Sequence, residues 1–382
     1  MTDPGLPLQA SEYPSFAHEY DPRNGLACED GYCAPCLQGP CWIKAEYILW
    51  WRTGMDLPAL VTTAPDGTTQ AVAGELGQPG TSVLWGGDRE EYPVRPGGRI
   101  SAGWWLDRNE CWALEGSYYW LGNAESSYTA SSPGSPILAI PFTDGANGTQ
   151  DARLIGFPGA FSGNLNFVAD SEVFGGDLYL RSRWCCTSWG RIDLLAGYQN
   201  GRINEGLTLN STVSDNLGAT NSITDSFSTQ NEFHGFELGF LANIDRGCYY
   251  IDVLGKVGLG NMDETVTISG HSLSTVGATQ FATNSGLFTQ ATNIGTYNRS
   301  EFVAVPELGI NLGWHLTDCI DFSLGYHLIY FSGVARPGDA LDSTVNTSQV
   351  GGPLVGPARP AFTFSDSDYL LQGLNCGVTW RW

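Results

Sequence analysis

The side chains that could do chemistry in this sequence are charges set at alternate positions inside apolar stretches. Lys44, Glu46 and Arg52 lie in one such stretch, Arg99 in a second and Glu115 in a third. Asp177 with Arg181, Arg191 with Asp193, Glu237, Asp252 with Lys256, Glu301 with Glu307, Asp321 with His327, and Arg381 follow in the same way. A polar group at every second residue marks one face of a strand. Nine acids, seven bases and one histidine stand on that face, close to balance. They fit a ladder of cross-strand ion pairs filling a narrow interior. They also fit a thin, slightly cation-preferring path, because most other acids fall in the long connections and the tail, where they would concentrate cations at its mouths.

Two other groupings bear on chemistry. Asp366-Ser367-Asp368 opens the last apolar stretch, and His327 lies in the stretch before it. Paired carboxylates with a histidine can do general acid–base work, which makes a rim-located outer-membrane protease a remote alternative to a solvated loop end and a satisfied histidine. No P-loop, dinucleotide fingerprint, G-x-S-x-G or H-E-x-x-H is present, so no catalytic residue is assigned and no cofactor is expected. Cys28, Cys33, Cys36 and Cys41 form C-x4-C-x2-C-x4-C. The first three match an iron–sulfur spacing and the C-x2-C is half a zinc site, but the fourth follows too closely and no histidine stands beside them. The reading favours disulfides from this tail to Cys111, Cys185, Cys186, Cys248 or Cys319 over metal or unpaired thiols, with connectivity open and no metal site assigned.

The rest of the chain must position these groups. Lys plus Arg number 18 against 40 Asp plus Glu, giving a net charge of −22. So acidic a chain excludes nucleic acid as a natural partner. Only 15% of residues are charged, while glycines (49) and aromatics (12%) are plentiful, a balance that suits strands and turns and a wall facing lipid. No run of about 18 apolar residues occurs, which rules out a transmembrane helix. The last fifteen residues read as one strand, with Leu370, Leu374, Cys376, Val378, Trp380 and Trp382 on one face and Asn375, Thr379 and Arg381 on the other. Its outer edge needs a partner, and pairing with the first strand, Trp42 to Thr53, closes a barrel.

Between them the alternation predicts eight more strands, centred on residues 98–106, 112–121, 174–181, 190–198, 235–240, 251–259, 301–312 and 320–330. Tight turns follow every second strand. Long segments, 55–96, 122–171, 201–229, 261–298 and 332–367, follow the others. The fold class expected is an all-β, antiparallel, transmembrane up-and-down barrel of ten strands, with long extracellular loops and short periplasmic turns. Twelve strands would result if Pro136–Phe142 and Ala152–Phe157 joined the wall. Residues 1–40 read as a periplasmic cysteine-rich tail and 41–382 as the barrel. A cysteine recurs near each tight turn, at 111, 186, 248 and 319, as in a repeated up–loop–down unit. Trp42, Trp51, Trp104, Trp120, Tyr198, Tyr250, Tyr330 and Trp382 suit interfacial girdles.

Several words along the chain resemble one family. Ala45-Glu46-Tyr47-Ile48-Leu49-Trp50-Trp51, Gly97-Gly98-Arg99, Gly103-Trp104-Trp105-Leu106-Asp107, Glu115-Gly116-Ser117-Tyr118-Tyr119, Pro136-Ile137-Leu138-Ala139, Gly156-Phe157-Pro158-Gly159 and the strand ending in Trp382 are similar to the putative beta-barrel porin-7 family of planctomycete outer membranes. The resemblance spans about Cys41 to Trp382. It implies an outer-membrane barrel embedded in lipid and, more weakly, a pore. The terminal aromatic, Trp382, resembles the signal read by the barrel-assembly machinery.

The function expected is porin-like passage of small cationic or neutral solutes. The alternative is a non-conducting structural or adhesive barrel whose Ser/Thr/Asn-rich loops meet envelope proteins or glycans. Met1 to Ala10 has no basic segment followed by an apolar core, so a secretory signal is expected to have been trimmed away.

Overall fold

The computed structural model describes residues 40–382 except 92, 188, 189 and 351; the tail expected over residues 1–40, with Cys28, Cys33 and Cys36, lies almost wholly outside them. Ten strands make the wall: β1 Cys41–Arg52, β2 Arg95–Trp105, β3 Trp112–Ser132, β4 Phe161–Thr187, β5 Gly190–Asp215, β6 Thr220–Asp245, β7 Tyr249–Val276, β8 Gly295–His315, β9 Ile320–Val334 and β10 Ser367–Arg381. Every strand pairs antiparallel with its neighbours in sequence, and β1 pairs with β10 from Trp42↔Arg381 to Arg52↔Leu371. The ring is closed. The outermost rung is Cys41 with Trp382, whose backbones exchange hydrogen bonds of 3.1 and 3.0 Å.

The wall is uneven in height. β4, β5, β6 and β7 run 27, 26, 26 and 28 residues, whereas β1 and β2 have 12 and 11. A tilted strand needs only about 9–11 residues to cross a bilayer, so the long strands stand well clear of it. Most of the loops expected over 201–229 and 261–298 are therefore strand. The reason is legible in β5. From Ile192 to Tyr198 the outward residues are apolar, with Asp193 and Gln199 facing in; beyond Gly201 the same register puts Thr208, Asn210 and Thr212 outward and Ile203, Leu207, Leu209 and Val213 inward. β6 repeats this in mirror order, with Phe227 and Phe233 buried inside and Phe236, Leu238 and Phe240 exposed outside. No bulge separates the two zones of the β5–β6 pair. The strand does not change face; its surroundings change from lipid to water.

Above the lipid belt the barrel thus has an apolar inside, and chain from the low side fills it. Segments 53–94, 133–160, 284–294 and 335–366 fold into this mouth. Leu138–Asp144 and Gln150–Gly156 form a hairpin in a small sheet with Val61–Thr63, Ser82–Trp85 and Thr344–Val345, separate from the wall. This corrects the twelve-strand alternative: the hairpin caps the barrel and the wall has ten strands. Met55, Leu60, Trp85, Leu138, Phe142, Phe288 and Val345 from these segments share one buried cluster with Leu165, Phe167, Leu207, Phe227 and Ile268 of the tall strands. Of the expected girdle, Trp104, Trp120, Tyr198 and Trp382 are exposed, but Tyr250 is buried at 5% exposure and packs on His315 inside the barrel.

The change of surroundings along one strand sets the first prediction. Leu238→Arg, in the lipid belt of β6, should destabilise the folded barrel by about 2–4 kcal/mol in lipid vesicles. Ser228→Arg, ten residues earlier on the same outward face, should change it by less than about 0.5 kcal/mol. Urea unfolding followed by tryptophan fluorescence checks both.

Candidate functional site: the filled lumen

Alternation delivers the inward charges, and antiparallel pairing sets them side by side. On β1 and its neighbours, Glu46 lies 2.8 Å from Lys44, 3.8 Å from Arg99 and accepts from Asn375 at 2.7 Å. Arg99 Nη1 is 3.1 Å from His327 Nδ1, and His327 Nε2 bonds Glu307. Glu307 is 3.2 Å from Lys256 Nζ, which also contacts Glu237 at 3.3 Å and bonds Asp177. A chain of alternating charge therefore crosses the barrel from β1 to β7. Nearly all its members are buried. A second group joins Arg181 to Asp193 at 2.5 Å and Glu115 at 3.4 Å, with Arg191 3.1 Å from Asp193. A third, near the periplasmic end, holds Asp321 between Arg381 and His315. Asp252 accepts from Asn243 at 2.7 Å.

Two of the expected lumen residues stand elsewhere. Arg52 lies at the top of β1, where Glu205 accepts from it at 2.5 Å and from Arg336 of the last loop at 2.9 and 3.0 Å. Asn231 fastens the same loop, donating to and accepting from the backbone of Ala335 at 2.9 and 2.8 Å. Glu301 is 42% exposed in its side chain and pairs with Arg299 at 3.0 Å. Glu205 falls in what reads as the Ser/Thr/Asn loop 201–229, and the signal that reveals it is the odd-numbered run Ile203, Leu207, Leu209 around it; Asn231 stands just beyond that segment. Asp225 is another such residue: it accepts from the backbone N–H of Leu287, Phe288 and Thr289 at 3.2, 2.9 and 2.9 Å and pins that segment inside the mouth. Arg336 sits in a loop with no period and offers no comparable signal.

An apolar layer lies between the charged zone and the cap. Ile48, Trp50, Tyr119, Leu121, Val173, Ile203, Phe233, Met262, Val303, Val305, Ile329, Phe331, Tyr369 and Leu371 form one buried cluster, contributed by nine of the ten strands. Trp50 stacks on His327 with ring centroids 5.6 Å apart, and Arg99 lies 5.1 Å from the Trp50 ring. β2 alone adds no apolar side chain to this layer; Gly97 passes there, and a Cβ on it would meet the Trp120 backbone oxygen and Ile48.

The protease-like grouping is not assembled. His327 is opposite Gly373 while Asp368 is opposite Ser332, five rungs further up the β9–β10 pair. Asp366 pairs with Arg299, and Ser367 donates to Asp339. Of the expected disulfide cysteines, Cys28, Cys33 and Cys36 lie outside the described residues; Cys319 is disulfide-bonded, whereas Cys41, Cys111, Cys185 and Cys186, like Cys376, carry free thiols. Cys185 and Cys186 are exposed at the end of β4. Cys248 lies at the β6–β7 turn and Cys319 is buried at the β8–β9 turn. Among the described residues no group of His, Cys, Asp and Glu could hold a metal ion.

A closed ring of ten antiparallel strands, apolar outside across a belt and charged inside it, defines a β-barrel of the outer-membrane type. The chain belongs to the family described as Putative beta barrel porin-7 (BBP7), whose model matches residues 42–382. None of the curated proteins matches it. Among solved structures it is similar to the outer membrane protease OmpT of Escherichia coli (9% identity, 91% of this chain and 99% of that one, TM-score 0.42). It is also similar to a bacterial polysaccharide outer membrane secretin (8%, 91% and 100%, TM-score 0.17) and to the toluene transporter TodX of Pseudomonas putida (8%, 91% and 91%, TM-score 0.15). Likenesses this distant add nothing to what the sheet itself establishes.

Lys256 faces three buried carboxylates and is the single cation common to them. Lys256→Met leaves Asp177, Glu237 and Glu307 uncompensated and should cost about 3–5 kcal/mol. Adding Glu237→Gln should recover part of that loss in the same denaturation measurement.

Proposed function

We propose that this protein is a non-conducting barrel of the outer membrane, structural in the envelope and presenting a folded cap at its outer face. The observation that carries the reading is the apolar layer around Trp50, Phe233 and Phe331. An ion crossing it would exchange its hydration for a close-packed layer of mainly apolar side chains, at a cost of several kcal/mol. The paired charges beneath argue the same way, since side chains that satisfy one another fill a narrow barrel and leave no continuous water column. The porin-like alternative, passive passage of small solutes with slight cation preference, draws support from the family's description and from the chain's net charge of −22. It requires the layer and the cap to move aside together.

The reading is non-catalytic, supported by the separation of His327 from Asp366 and Asp368. Its partners are outer-membrane lipid around the belt and, through the aromatic strand β10, the barrel-assembly machinery.

Planar-bilayer recording tests this reading. Protein whose insertion is verified by heat-modifiable gel mobility should give no steady openings under a salt gradient. The triple variant Trp50→Ala, Phe233→Ala, Phe331→Ala should introduce flickering conductance. Steady, cation-selective openings of the unaltered protein would restore the porin reading.

A further inference from the structure

A cleft of about 760 Å³ opens at the outer rim, between the cap and the tall wall. It is lined by Gln70 and Ala71 of the first loop, Asp151, Ala152, Arg153 and Leu154 of the cap hairpin, and Phe161, Val213 and Asn221 of β4, β5 and β6. Its size falls within the range of about 300–1,000 Å³ common to small-molecule sites. Three separate segments of chain meet to build it.

Arg153 is the unusual group in this cleft. Arg52, Arg99, Arg181, Arg299 and Arg336 all pair with carboxylates, whereas Arg153 has only Asn221 as a partner among the described residues, through Nη2 to Oδ1 at 2.6 Å and to the backbone oxygen at 3.4 Å. Its Nε is buried without a hydrogen bond. Burial pushes the guanidinium down to about 10, a sign that its charge is poorly compensated. A partly desolvated guanidinium beside open space, its Nη1 without a partner among the described residues, is a seat for a carboxylate oxygen.

The rest of the lining narrows the choice of anion. Gln70 offers an amide that both donates and accepts; the Asn221 oxygen, which already accepts from Arg153, keeps a second lone pair while its amide nitrogen donates to Ser274 at 2.8 Å; and the Asp151 carboxylate only accepts. A second carboxylate in the cleft disfavours a multiply charged phosphate, but it accepts readily from hydroxyl groups. Phe161, Leu154 and Val213 supply an apolar side suited to the C–H face of a pyranose ring.

From this juxtaposition we infer that the cleft binds an acidic saccharide, a uronate unit of an extracellular glycan, with its carboxylate on Arg153 and its hydroxyls on Asp151, Asn221 and Gln70. The inference rests on the cap facing outward, as in the function proposed above, and does not depend on whether the lumen conducts.

The test is calorimetric titration of the full chain, refolded in detergent, with trigalacturonate, with maltotriose and with inorganic phosphate at low salt. Trigalacturonate should bind, and the neutral trisaccharide should bind about ten-fold more weakly, the worth of one charge-assisted hydrogen-bond pair. Arg153→Gln, with unchanged heat-modifiable mobility, should erase that difference. Equal binding of acidic and neutral sugars would overturn the assignment. So would an affinity for phosphate as high as for the sugar, no binding by correctly folded protein, or a preference that survives Arg153→Gln. A conducting bilayer would overturn the proposed function and leave this assignment standing.

Discussion

A backbone N–H inside the hydrocarbon of a bilayer has no partner except another strand, and every other feature of this protein follows from meeting that demand. Closure of β1 on β10 removes the last open edge. Once the ring is closed, the alternation of side chains across a strand forces half of them inward, into the interior of the ring. Within the lipid belt those side chains are charged because the outward ones must be apolar, and the charges are then obliged to satisfy one another. The line from Glu46 through Arg99, His327 and Glu307 to Lys256 answers that obligation.

Above the belt the same geometry meets the opposite solvent. Outward residues now face water, so the inward ones can be apolar, and the barrel becomes a vessel needing contents. The cap segments supply them. Their polar attachments to the wall include Arg336 to Glu205, Ala335 to Asn231, residues 287–289 to Asp225 and Arg153 to Asn221. The apolar cluster around Phe167 and Phe227 supplies the bulk of the adhesion.

Much of this was legible in the sequence, and the limits have physical causes. All ten strands are announced by alternation with lipid-facing apolar residues, and the inward charges from Lys44 to Arg381 follow from parity alone. The strands beyond Tyr198 and before Phe236 were harder to see, because their apolar residues move to the opposite parity and their outward residues are the Ser, Thr and Asn that usually mark loops. A rule that expects one apolar phase per strand ends the strand where only the solvent ends. The cap was not legible, since its short strands pair across long sequence separations. Val61–Thr63, for instance, meets Ala139. Nor does parity reveal the partners: that His327 meets Arg99 depends on the stagger of the whole ring.

The unequal height of the wall also bears on how the ring comes apart. β6 and β7 hold one another along the whole length from Thr220 to Asp245, whereas β1 meets β10 only from Trp42 to Arg52. Resistance to peeling scales with the number of rungs that must break in succession, so the low side of the wall is mechanically the soft one: β2 meets β3 only from Gly97 to Trp105, and β8 meets β9 only from Glu307 to His315. The tall crescent from β4 to β7 behaves as a stiff panel. A barrel built in this way, when strained, opens on its low side like a cuff rather than collapsing as a tube.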